Sequence, residues 1–191
     1  MNNDTVTIPK ITLDSNCIID AVQRQGAWQH VERLVELARG GHVQLWITDA
    51  FDAEQIRARD EHREANLRWL ADRPLIGRTV PVMRLDYPTA ILGVAVLASD
   101  EGADADRTIQ DIILPQELRP GHVDPGDTKA TKRQAKRIHD VHHLSAHWTA
   151  EHDFFVTRDE DDMLKKREEL KRRVGIVVLT PAEVLEKLSV Q

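Results

Sequence analysis

Two hydrophobic periods alternate along this chain: short unbroken runs rich in β-branched residues, and stripes spaced three and four residues apart. Ile11 to Leu13 reads as a buried strand ending at Asp14, and Ile18 to Gln23 continues as a helix. Trp28, Val31, Leu34, Val35 and Ala38 mark a second helix, which Gly40-Gly41 stops. Val43 to Ile47 is the next strand. Thr48 or Asp49 then caps a helix that runs through Glu54 toward Leu70, with Pro74 outside it. Near the other end, Phe154 to Val156 is a third short strand, followed by a highly charged helix from about Glu160 to Arg173. Gly175 ends that helix, Ile176 to Leu179 forms the last strand, and Pro181 opens a terminal helix at its first turn.

The middle, Arg78 to Asp127, is less regular. Thr79 to Met83 fits an edge strand, although Pro81 counts against it. Ala90 to Ala98 fits a buried helix or a buried strand equally well. Asp100 to Asp106 and the Pro/Gly-marked Leu114 to Gly126 read as loops around a short helix. The apolar content here is too small for a separate core, so the expectation is one domain over residues 1–191 with an insertion at about 78–127.

Short strands alternating with amphipathic helices indicate an α/β protein with a parallel sheet. In such sheets ligands sit outside the carboxyl ends of the strands. Asp14 directly follows the first strand and Asp159 lies just after the third, so both fall where a site is expected.

Composition narrows the class. With 191 residues, 41% hydrophobic and 30% charged, the chain supports a globular core and does not read as disordered. The polar Met1 to Lys10 lacks a signal-like apolar region, and no run approaches the roughly 20 apolar residues of a membrane span. Cys17 is the one cysteine, which excludes an intramolecular disulfide framework and a cysteine-based zinc knuckle. The expectation is a soluble, cytoplasmic protein. A net charge of −6 argues against nucleic-acid binding by total charge alone. Its distribution is uneven, however. Lys129, Lys132, Arg133, Lys136 and Arg137 crowd the turns before Asp140, and a second basic group follows Asp159. Both segments fit either a phosphate-binding groove or a solvated helix face.

Carboxylates gathered in one pocket repel one another and raise each other's pKa, which a cation relieves. Mg²⁺ and Mn²⁺ take hard oxygen ligands, and such ions support phosphodiester cleavage. Read as a helix, Asp127 to Trp148 places Ile138, Val141, Leu144, Ser145 and Trp148 on one stripe, with Asp140 at its edge beside Arg133 and His147. His139, His142, His143 and His147 share that helix, and two i,i+4 pairs among them have zinc-compatible spacing, but no HExxH motif is present. There is also no DxD phosphatase pair at Asp14, no GxxxxGK[ST] loop and no serine nucleophile elbow.

Four segments in order resemble the PIN-domain family of metal-dependent ribonucleases: ITLDSNCIID over Ile11 to Asp20, Thr48 to Glu54, Asp140, and FFVTRDED over Phe154 to Asp161 with GIVVLTPAEVL after it. The resemblance covers both ends of the chain; the middle does not match, VHHLSAHW after Asp140 is richer in histidine than the family's helix, and Glu54 and Asp140 stand further apart than in a minimal member. It implies a three-layer PIN-like fold, a central parallel sheet flanked by helices. It implies a catalytic set of Asp14, Glu54, Asp140 and Asp159, with Asp14, Asp140 and Asp159 holding Mg²⁺ or Mn²⁺. Asn16, Thr157 and Asp161 would support the pocket, and Lys129, Arg133, Lys136, Arg137 and His147 would contact RNA. The implied activity is endoribonuclease, either of a stand-alone prokaryotic nuclease or of a VapC-like toxin inhibited by a cognate antitoxin. Small relatives are commonly homodimers. Two other readings stay open: a catalytically silent module that binds RNA or protein, and a structure-specific DNA nuclease.

Overall fold

The computed structural model describes residues 7–57, 59–73, 75–79, 99–119 and 121–189. Strands β1 (Lys10–Leu13), β2 (Gln44–Thr48), β3 (Leu75–Thr79), β4 (Phe154–Val156) and β5 (Val178–Leu179) form one parallel sheet in the order β3-β2-β1-β4-β5. Helices α1 (Ser15–Gln23), α2 (Trp28–Arg39), α3 (Ala50–Arg57), α4 (Asp60–Ala71), α5 (Asp100–Ile113), α6 (Thr128–Thr149), α7 (Arg167–Val174) and α8 (Pro181–Ser189) connect and cover it. None of the described helices is long and apolar enough to cross a membrane.

Strand alternation divides the core in two. Ile11, Leu13, Leu45, Ile47, Phe154 and Val156 share one cluster with Cys17 and Ile18 of α1, Val31, Leu34 and Val35 of α2, and Val184 of α8. On the other side, Phe155 and Val178 pack with Ile109, Ile112 and Ile113 of α5, Val141 and Leu144 of α6, and Leu170 of α7. The result is a three-layer α/β fold with a parallel sheet between helices, the architecture a PIN-like chain requires. Its strand order reverses direction between β1 and β4, and a doubly wound sheet opens its ligand crevice at that point, at the carboxyl ends of the strands.

Several elements differ from their sequence expectations. Asp100 to Asp106 is not a loop; it is the first half of α5. Ser99 caps this helix, its Oγ accepting from Gly102 N at 3.1 Å, and Asp100 and Glu101 occupy the favourable first turn. The helix expected from Thr48 or Asp49 to Leu70 is two, because Arg59 is extended (φ −62°, ψ 144°). The charged helix after Asp159 begins only at Arg167. Before it, Asp159 Oδ1 accepts from Asp162 N at 2.9 Å and Asp159 O from Leu164 N at 3.0 Å, and this side chain-to-backbone bond favours a turn. A strand not expected from the sequence lies at Leu75–Thr79, and the last strand is only Val178–Leu179. Residues 80–83 and 90–98 lie outside the described residues.

Candidate functional site

The crevice between β1 and β4 is closed by hydrogen bonds among strand-end residues. Asp14 N donates to Val156 O at 2.9 Å, so the ends of the two strands stay in step. Asp14 Oδ2 then accepts from Asn16 Nδ2 and from Thr157 Oγ1, both at 2.6 Å. Thr157 Oγ1 in turn accepts from Asn16 Nδ2 and from Asp159 N, each at 3.0 Å. One carboxylate oxygen of Asp14 is thereby held by two donors while Oδ1 faces inward. Its nearest recorded neighbour there is His143 Nε2, at 3.9 Å.

A cavity of about 420 Å³ opens over this crevice, and Asp14, Glu54, Asp140 and Asp159 all line it. On and behind its walls the charges sort into two groups. Asp140, Asp159 and Asp162 each offer an oxygen, and these oxygens lie within 4.8 Å of one another. Lys136 Nζ reaches Asp159 Oδ2 at 2.9 Å and Asp162 Oδ2 at 3.1 Å; Arg137 contacts Asp162 and stands 3.9 Å from Asp140 Oδ2. The second group centres on His143. Its Nδ1 is hydrogen-bonded with Thr48 Oγ1, and its Nε2 faces Glu54 Oε1 at 3.5 Å and Ser15 Oγ at 3.4 Å.

Burial and charge shift these groups in a consistent pattern. Desolvation and the neighbouring Asp14 and Asp159 charges push the Asp140 carboxyl up to about 7, against the opposing pull of Lys136 and His143. Burial also raises Asp14. Burial alone would lower His143, but its hydrogen bond to Glu54 and the charges of Asp14, Glu54 and Asp140 outweigh it and raise the imidazole to about 9. Burial works to raise Glu54 as well, yet its hydrogen bond and charge interaction with His143 leave it below the usual value. His143 is therefore a buried cation at neutral pH.

The oxygen chemistry suits a divalent ion. Asp140 is 7% exposed, and its Oδ2 has no hydrogen-bond partner among the described residues. Five carboxylates (Asp14, Glu54, Asp140, Asp159 and Asp162) gather here against the cationic Lys136, Arg137 and His143, with Arg59 also on the cavity wall. All the donors are hard oxygens, as Mg²⁺ or Mn²⁺ prefers.

Two expected site residues lie elsewhere. His147 is 2% exposed and shares a 2.9 Å hydrogen bond with Thr12 Oγ1, edge-on to Phe155, so no face of it is open to a phosphate. Asp161 projects to solvent and pairs with Lys165 at 3.1 Å; its neighbour Asp162 turns inward instead. Lys129 and Arg133 are exposed on α6, whereas Lys136 and Arg137 are engaged by the acids. The histidine pairs do not share a centre: His143 faces Thr48 and His147 faces Thr12. His143 and Asp162 were not among the residues expected at the site. Each lies three positions after a residue that was, Asp140 and Asp159.

No family model, curated protein or solved structure matches this chain.

Proposed function

We propose that this protein is a divalent-metal-dependent endoribonuclease acting in the cytoplasm. The observation carrying this reading is buried Asp140, whose Oδ2 accepts no hydrogen bond among the described residues and has Arg137 only at 3.9 Å, grouped with Asp159 and Asp162. Asp140 and Asp159 would hold the ion, Asp162 would complete the oxygen set, and Asp14 would face the same cavity. A divalent ion bound there would polarise a phosphoryl oxygen and acidify a water. The chain's own part is orientation. Asn16 and Thr157 fix the Asp14 carboxylate, and Lys136 holds Asp159 and Asp162 close together. Exposed Lys129 and Arg133, on the turns leading to the cavity, would meet an RNA backbone. The resemblance to VapC-like toxins adds a cognate antitoxin and a homodimer to this reading.

One observation favours a second reading. Lys136, Arg137 and protonated His143 already neutralise much of the acid cluster, and a non-cleaving RNA- or protein-binding module would need no more. Incubation with labelled RNA and labelled DNA, with Mn²⁺ or with chelator, decides between them. The expected result is RNA cleavage that requires metal and disappears in Asp140→Asn. RNA binding without cleavage in Mn²⁺ selects the second reading, and cleavage confined to DNA selects a DNA nuclease.

A further inference from the structure

A second cavity, of about 860 Å³, adjoins the acidic pocket, and the two share Asn16, Lys136 and Asp159 as a common wall. Its remaining lining differs in character. Ala27, Leu164 and Ala182 supply apolar surface, and His30 stands exposed on α2.

Arg158 enters this cavity in a fixed position. Its Nε is 2.8 Å from Asp20 Oδ2, and Asp20 is fully buried. The same oxygen accepts from Ala27 N at 3.1 Å. Gly26 packs against this carboxylate with φ +53°, where an added Cβ would lie 2.3 Å from Oδ2. The connection between α1 and α2 is thus built around a carboxylate that grips one edge of the guanidinium. The two terminal nitrogens have no recorded partner among the described residues, and the side chain is 48% exposed. A guanidinium held by one edge presents the other as a planar fork, suited to a phosphate.

We infer that this cavity is a nucleotide subsite, which takes the nucleotide adjoining the bond cut in the acidic pocket. Its phosphate lies on Arg158, and its base lies over His30 and Ala182. The inference rests on the nuclease reading of the neighbouring pocket. The volume falls in the range of about 300–1,000 Å³ found for small-ligand sites. Histidine and apolar surface beside a cationic fork are the elements by which single-stranded bases stack while their phosphates are neutralised. Asp159, Glu160 and Asp161 also line the cavity, so one phosphate on Arg158 is better tolerated than a run of them.

The test is titration of the full chain with adenosine 5′-monophosphate in chelator, followed by amide chemical shifts, with inorganic phosphate and a neutral tetrapeptide in parallel. Ala182→Trp fills the cavity, and His30→Ala removes an exposed side chain without touching the core. Shifts at Gly26, His30 and Ala182 with the nucleotide are expected, weakened roughly tenfold in His30→Ala and abolished in Ala182→Trp. Thermal unfolding confirms that both variants fold. Nucleotide shifts absent from the cavity, equal shifts with phosphate alone, binding by the peptide only, or affinity unchanged in both variants would each overturn the subsite. Nucleotide binding in the cavity of a protein that cleaves no RNA with Mn²⁺ keeps the subsite and removes the nuclease reading.

Discussion

His143 Nε2 stands 3.5 Å from Glu54 Oε1, so a helix facing the sheet delivers a buried cation to an acidic pocket. Both partners shift toward their charged forms: the imidazole rises to about 9 and the carboxyl falls below its usual value. His143 thereby occupies part of the electrostatic role that a metal ion would fill.

Replacing His143 should separate those two roles. Removing one partner of a fully buried ion pair costs roughly 3–5 kcal/mol, and the loss here should be smaller because Glu54 is 32% exposed and solvent screens its charge. His143→Gln should therefore lower the melting temperature in chelator. Mn²⁺ should then restore more stability to the variant than it adds to the wild type. Thermal unfolding with and without Mn²⁺ measures both, and an equal metal response in the two proteins would contradict the shared role.

Asp140→Asn should act in the opposite direction without metal. The Asp140 carboxyl is raised from 3.8 to about 7 in the folded protein, so folding opposes its ionisation. At about pH 8 it is charged in both states and the folded state bears the full cost; below about pH 4 it is neutral in both and the cost vanishes. The variant should gain about 1–2 kcal/mol at pH 8 in chelator, less than the shift alone implies because Arg137 loses a neighbouring charge. The gain should fade as pH drops through 7 toward 4. Mn²⁺ should stabilise the wild type and leave the variant unmoved. Denaturant midpoints across pH, with and without metal, check each part.

Acid sensitivity should come from a different place. Thr12 Oγ1 lies 2.9 Å from both His147 Nδ1 and His152 Nδ1, and its one hydroxyl proton can serve only one of them as donor. Burial lowers His147 to about 3 and His152 to about 4, so both are neutral in the folded protein. The unfolded chain takes up these protons as pH falls below about 6.5, so stability declines from there toward 4. His147 alone should contribute a loss of about 2–3 kcal/mol by roughly pH 4.5. In His147→Gln, proton uptake on unfolding in this interval should fall by about one. An unchanged pH slope would refute the assignment.

The legible parts of the fold were those in which one residue carries its own signal. Ile11 to Leu13 and Phe154 to Val156 are apolar runs ending at Asp14 and Thr157, and strand ends of a parallel sheet are where a crevice forms. By contrast, α5 hides behind Asp100, Glu101, Asp104 and Asp106, although Ala105, Ile109, Ile112 and Ile113 keep helical spacing. His143 was harder still. Its burial depends on Thr48 facing α6 from an alternating strand position, and a helical stripe drawn from α6 alone contains no such partner. Asp162 rather than Asp161 turns inward because Asp159 caps its own turn, a local choice that helical periodicity does not reveal.

The basic residues of α6 should divide into two functional kinds. Lys129 is exposed and lies in the first turn, whereas Lys136 Nζ is held between Asp159 and Asp162. Lys129→Ala should weaken RNA binding uniformly across sequences and reduce the slope of log affinity against log salt by roughly one counterion. Metal affinity should not change, because no acid loses its partner. Lys136→Ala should do the reverse to the metal, exposing Asp159 and Asp162 to a bound ion and tightening Mn²⁺ binding several-fold. Its RNA salt slope should stay near that of the wild type, because its ammonium is already paired with Asp159 and Asp162. Salt-dependent RNA binding by the two variants in chelator, beside Mn²⁺ titrations of each, tests the division. Equal metal affinity in Lys136→Ala and wild type would show that this lysine does not compete with the ion.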